Sequence, residues 1–175
     1  KNFINPEGKE IRISVNLSIE QLKDSNIAQQ ISKILEETHT DPKYIQIEIT
    51  ESVALDKEPY VLERIKELKI FGISIAIDDF GTGHSSLSRL KIFPIDLLKI
   101  DMEFVRGISS VSRKDKAIIK SIIQIAKNLG IKVLAEGVET EEQFEYLRKK
   151  KCDEIQGYYF FKPMPVDEIK DILAG

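Results

Sequence analysis

Six short runs along the chain are dense in isoleucine, leucine and valine: Ile11–Leu17, Ile45–Thr50, Ile73–Ile77, Leu97–Ile100, Lys132–Ala135 and Glu154–Tyr159. Each has the length and composition of a strand buried in a sheet. Between most of them the apolar period lengthens to three or four, as an amphipathic helix requires. Ser18 and Gln21 form a capping box that opens a helix carrying Leu22, Ile27, Ile31, Ile34 and Leu35. Pro59 stands near the start of the next helix, whose stripe is Val61, Leu62, Ile65 and Leu68, and Gly72 stops it. A third helix spans Asp115 to Leu129 and closes at Gly130. Thr140 and Gln143 form a second capping box. That helix ends in the basic run Arg148–Lys151, a solvated end favoured by the helix dipole. A last helix begins at about Val166.

Strand and helix alternate, with a shorter helical element after the loop that begins at Gly81. This order predicts an α/β fold with a parallel sheet and crossover helices. A complete eight-stranded barrel needs about 250 residues. Six units in 175 residues fit an open α/β sheet or a barrel without its first strands. No linker, low-complexity tract or close repeat divides the chain, so residues 1–175 are read as one domain.

Composition narrows the partners. The chain is 42% hydrophobic and 31% charged with a net charge of −3, which gives no attraction to nucleic-acid polymers or to membrane surfaces. One cysteine, Cys152, excludes a disulfide framework within the chain and suits a reducing, cytoplasmic compartment. No apolar run approaches the roughly 20 residues of a membrane span. The first residue is Lys1 rather than Met, so a fragment of a longer protein is expected.

The polar residues fall at the strand ends. The first strand ends in Asn16; the second carries Glu48 with Glu51 just after; the third ends in Asp78 and Asp79. The fourth gives Lys99 and Asp101, the fifth is followed by Glu136 and Glu139, and the sixth gives Gln156. One polar residue at a strand end is ordinarily a cap or a loop starter. Six strands doing so together point to one shared site at the C-terminal edge of the sheet, where α/β folds bind ligands. Adjacent acids such as Asp78 and Asp79 repel one another unless a cation lies between them. The cluster is rich in carboxylates, and the chain has only two histidines, His39 and His84. Oxygen donors of this kind suit Mg²⁺ or Mn²⁺ rather than zinc or copper. Two such cations are a recurrent device for hydrolysing phosphate esters, with Lys99 adding a fixed positive charge. Gly81 and Gly83 permit a tight turn that brings backbone close to a ligand.

The motifs SVNLS, EITES, DDFGTGHSSL, PIDLLKID, AEGVET and QGYYFFKPMP together resemble the EAL domain family of cyclic di-GMP phosphodiesterases, in order and over essentially the whole chain. The resemblance implies a modified TIM barrel, N-terminally incomplete here, that hydrolyses cyclic di-GMP to pGpG with Mg²⁺ or Mn²⁺ in a two-metal site. It implies metal-site roles for Asn16, Glu48, Asp78, Asp79 and Glu136, with Glu139 in support. Lys99 would position or help activate the water, alongside Asp79 in the catalytic set. Glu51 would hold the loop containing Gly81 and Gly83, and Gln156 would touch substrate. The Glu-Ala-Leu strand of the family has no counterpart after Lys1. His84 stands where tyrosine is frequent, and Phe161 where serine is common. The resemblance also brings regulatory or GGDEF-type domains as partners in a parent protein that can itself be membrane-anchored. A barrel without its first strands leaves open edges, so homodimerisation or aggregation is expected. The alternatives are a catalytically inactive EAL-like receptor or scaffold, and an open α/β phosphohydrolase acting on another ester.

Overall fold

Ile47, Ile49, Ile75, Ile77, Leu98, Ile100, Val133 and Ala135 belong to one hydrophobic core, and strand register sets them side by side on one face of a single sheet. The computed structural model describes residues 11–54, 58–81, 90–109 and 113–174. In it six strands follow one another in chain order: β1 (Ile13–Asn16), β2 (Ile45–Thr50), β3 (Ser74–Phe80), β4 (Leu97–Ile100), β5 (Lys132–Ala135) and β6 (Glu154–Ile155). All five neighbouring pairs are parallel. Side chains alternate between faces along a strand. The helices cover the apolar face, and the opposite face carries Gln46, Glu48, Ala76, Asp78, Leu97 and Lys99.

The sheet is strongly curved. Arg12, just before β1, forms an ion pair with Glu154 on β6. Five steps of about 4.8 Å would hold these strands roughly 24 Å apart in a flat sheet. Contact between the two outer strands requires the sheet to curl into a half-barrel whose polar face is concave. The α/β class with a parallel sheet, expected from the alternation of elements, is therefore the observed one. Of the two arrangements left open, the sheet takes the barrel-like one that the family resemblance implies.

The helices form where the apolar period and the caps coincide. Pro59–Ile70 starts at its proline and buries Val61, Ile65 and Leu68 completely. Arg113–Leu129 begins two residues before the expected Asp115 and buries Ile119, Ile122, Ile123 and Ala126. Both capping boxes are present, at Ser18 with Gln21 and at Thr140 with Gln143. Glu141–Lys149 and Val166–Ala174 complete the set.

Other boundaries differ from expectation, β3 among them, which extends to Phe80 rather than ending at Ile77. The helix after Ser18 is broken into Ile19–Leu22 and Ile27–Glu37. The Asp24 carboxylate accepts from the Asn26 N–H at 2.8 Å and from Gln30 Nε2 at 2.9 Å, a local alternative that competes with helical bonding. The last strand is only two residues long, because Gly157–Phe160 turns back on itself. The first strand is likewise trimmed to four residues, and its Ile13 and Val15 are exposed at the open edge. Among the described residues no helix is long and apolar enough to cross a membrane.

Ile75 lies at the centre of this core with no exposed surface. Ile75→Ala should lower unfolding free energy by about 2–5 kcal/mol through lost burial and a residual cavity. Urea denaturation would show this as a reduced midpoint at unchanged slope; a loss below about 1 kcal/mol would mean the sheet is not packed as described.

Candidate active site

The parallel register brings the strand ends to one edge. Asn16 pairs with Glu48, Thr50 with Asp78, and Ile100 with Ala135. The Glu136 N–H donates to the Ile100 carbonyl and the Gln156 N–H to the Ala135 carbonyl. At the centre of the concave face stands Lys99, only 4% exposed. Its ammonium lies 2.7 Å from Glu48 Oε2, 3.0 Å from Asp78 Oδ1 and 2.8 Å from Glu136 Oε1. An ammonium has three donors, and here each meets a carboxylate, from β2, from β3 and from the residue after β5. Burial by itself would lower the Lys99 pKa. The hydrogen bonds to Glu136, Glu48 and Asp78 outweigh it and hold the group above the ordinary lysine range. Burial also pushes the Glu136 carboxyl up, against the opposing pull of Lys99, and the charges of Asp78 and Glu48 add to the rise.

The pair Asp78–Asp79 poses a geometric problem, since neighbours on a strand point to opposite faces. A register shift solves it. Ile77 pairs with Leu98 and Phe80 with Ile100, so β3 carries one residue more than β4 over this interval. Asp79 takes up the extra residue in the left-handed region at φ 55°. Oxygens of Asp78, Asp79 and Glu136 consequently lie within 4.8 Å of one another. Burial raises the Asp79 carboxyl, followed by the charge of Asp78 and by Asp101, with Lys99 opposing. Close hard-oxygen donors whose charges oppose one another fit a divalent cation.

Glu51 is 3% exposed at the start of the short helix Glu51–Ala54. Its Oε2 accepts from the Gly81 N–H at 2.8 Å, two residues after Asp79. Gly81 has φ +104°, and a Cβ there would stand 2.9 Å from the Phe104 ring. This position therefore admits only glycine without rearrangement. Gly83 lies outside the described residues. Asn16 is exposed at the end of the open-edged β1. Glu139 does not join the close group of Asp78, Asp79 and Glu136. Its N–H donates to Gln143 Oε1 at 2.8 Å, and the residue lines an adjoining cleft of about 260 Å³ with Gln156, Tyr158 and Arg106. Sequence reasoning missed Arg106, because a single arginine in the last turn of a short helix reads as a solvated, dipole-favoured end.

A family model described as EAL domain matches residues 3–163. The chain belongs to the EAL domain family. It is 38% identical over 168 residues to the cyclic di-GMP phosphodiesterase RocR of Pseudomonas aeruginosa, covering 96% of this chain and 43% of RocR. A solved structure titled PaMucR phosphodiesterase, c-di-GMP complex, superimposes with a TM-score of 0.86 at 36% identity, covering 90% of this chain and 64% of that one. The manganese and cyclic di-GMP complex of Klebsiella pneumoniae BlrP1 superimposes with a TM-score of 0.79 at 34% identity, covering 87% of this chain and 39% of that one. The chain spans about a fifth of the length of several curated relatives it matches.

The electrostatics of this EAL domain carry a pH dependence. Asp79 has a raised pKa in the folded protein, so its ionisation costs stability as pH rises through its folded value. Below the unfolded carboxylate value that cost is absent. In metal-free protein, Asp79→Asn should therefore raise the thermal midpoint at pH 7, and the gain should vanish as pH falls through the carboxylate range. Asparagine also tolerates the left-handed backbone. A lower midpoint for the variant at pH 7 would contradict the repulsion described.

Proposed function

We propose that this domain is a metal-dependent phosphodiesterase that opens cyclic di-GMP to linear pGpG, using Mg²⁺ or Mn²⁺. The observation that carries the reading is the set of Glu48, Asp78, Asp79 and Glu136 gathered around Lys99 at the C-terminal edge of a half-barrel. Its likeness to chains named as cyclic di-GMP phosphodiesterases, and to a structure titled as a manganese complex, supports the substrate and the metal.

In this reading Asp78, Asp79 and Glu136, with Glu48 and Asn16 beside them, hold the cation or cations, and Glu139 supports them from the adjoining cleft. When bound, such a cation lowers the pKa of a water and neutralises charge developing on phosphoryl oxygens. The chain's own groups do the rest. Lys99 stays protonated and its three donors are held by carboxylates, so it supplies a fixed positive charge that positions the acids and does not abstract a proton. Glu51 fixes the backbone after Asp79, which keeps that carboxylate turned back towards Asp78. Gln156 lines the cleft to meet substrate, and Gly81 lets backbone approach it. The water oxygen forms a bond to phosphorus, one ring phosphodiester bond breaks, and the leaving oxygen takes a proton. The same reading makes the domain a cytoplasmic module, homodimeric and governed by GGDEF-type or other regulatory domains. The greater length of its relatives supports the additional domains.

Chromatography of cyclic di-GMP incubated with the protein and Mn²⁺ tests the activity, with pGpG as the expected product. Asp78→Asn should lower kcat by roughly 100-fold or more, since cation stabilisation of the transition state is worth several kcal/mol. Binding of cyclic di-GMP with no pGpG formed would instead identify a receptor.

A further inference from the structure

The cleft beside the acidic cluster is lined by side chains with little to hold them. Arg106, Glu139, Gln156 and Tyr158 face it together with Gly137 and Gly157. Among the described residues, no carboxylate pairs with the Arg106 guanidinium. Arg106 is exposed in the last turn of the helix Met102–Arg106 and needs no partner for the fold. Tyr158 is 57% exposed, and Lys162 lies over its ring at 5.8 Å from the centroid. The opposite wall is fixed firmly. The Val138 N–H donates to the Gln156 carbonyl at 3.1 Å, and the Tyr159 N–H to the Val138 carbonyl at 2.9 Å. A Cβ on Gly157 would stand 2.1 Å from the Val138 oxygen, so this close approach requires glycine. The segment bearing Gln156 and Tyr158 is thus pinned against the loop that follows β5.

Size and chemistry select an occupant. At about 260 Å³ the cleft falls below the range that encloses a drug-sized ligand. It suits one base of a cyclic dinucleotide rather than the whole molecule. Glu136 belongs both to this cleft and to the group around Lys99, so a base seated here adjoins the phosphodiester at the acids. A tyrosine ring offers a stacking surface to any base. Arginine is the side chain whose planar fork matches guanine O6 and N7, whereas adenine presents a donor at the corresponding position.

We propose that Arg106 is a specificity-determining residue: it reads one guanine of the substrate by donating both arms of its guanidinium to O6 and N7 in this cleft. The inference rests on the phosphodiesterase reading above and adds to it the residue that tells guanine from adenine. A bidentate arginine–guanine contact of this kind is worth about 5- to 150-fold in discrimination.

The test compares wild type, Arg106→Ala and Arg106→Lys in the full-length protein. Three substrates are used with Mn²⁺: cyclic di-GMP, cyclic di-AMP and the base-free diester bis(p-nitrophenyl) phosphate. The ratio of kcat/KM for cyclic di-GMP to that for each of the others should fall about 5- to 150-fold in Arg106→Ala, chiefly through KM. Arg106→Lys should keep only part of the ratio, because an ammonium can also donate to O6 and N7 but lacks the planar fork. Unchanged ratios in Arg106→Ala would overturn the proposal. A ratio lower in Arg106→Lys than in Arg106→Ala would also overturn it, since a donor at this position should favour guanine over adenine. A wild-type protein that cleaves the base-free diester and leaves cyclic di-GMP intact would overturn cyclic di-GMP as the substrate, and this inference with it. That result is told apart from the others by the wild-type measurement alone.

Discussion

One buried ammonium organises the concave face of this half-barrel. Lys99 sits with three carboxylates at 2.7, 2.8 and 3.0 Å, drawn from β2, β3 and the residue after β5. Burying any of these charges alone would cost several kcal/mol. Together they satisfy one another's hydrogen bonds, and the ammonium holds in place acids whose mutual repulsion would otherwise open the cluster. The acids outnumber the lysine. A surplus of negative charge remains at Asp78, Asp79 and Glu136, where a divalent cation fits. The same arrangement therefore preserves the site without metal and keeps it receptive to one.

Position follows from topology. Parallel strands share a direction, so residues at their C-terminal ends meet at one rim. Asn16, Glu48, Asp78, Glu136 and Gln156 come from separate parts of the chain and reach that rim because their strands align in chain order. The extra residue in β3 turns Asp79 to the same side as Asp78, and the Glu51–Gly81 bond holds the chain just beyond it. A strained left-handed aspartate at the edge of a regular strand persists only where its surroundings hold it.

Much of this was legible in the residues. Apolar runs marked all six strands, and the two capping boxes marked their helix starts correctly, because both signals depend on neighbours a few positions apart. The placement of acids at strand ends revealed a shared rim, and six quoted motifs revealed the family. Three features were not legible. Asp24 broke a helix through a local side-chain bond that periodicity does not record. The β3 bulge depends on register with β4, which no single strand encodes. Arg106 and Glu139 reach their cleft through packing between the Met102–Arg106 helix and the loop after β5, so their partners are visible only in three dimensions.

The dependence of the site on its lysine is open to a direct measurement: the unfolding free energy of metal-free Lys99→Met against wild type, by chemical denaturation at pH 7 and pH 5. Removing the ammonium leaves Glu48, Asp78 and Glu136 facing one another without a counter-charge. A loss of about 3–5 kcal/mol is expected at pH 7. Glu136 already titrates above the ordinary range, so part of the loss should be recovered at pH 5 as the carboxyls take up protons. A variant as stable as wild type at pH 7, or a loss that does not shrink on acidification, would contradict the account.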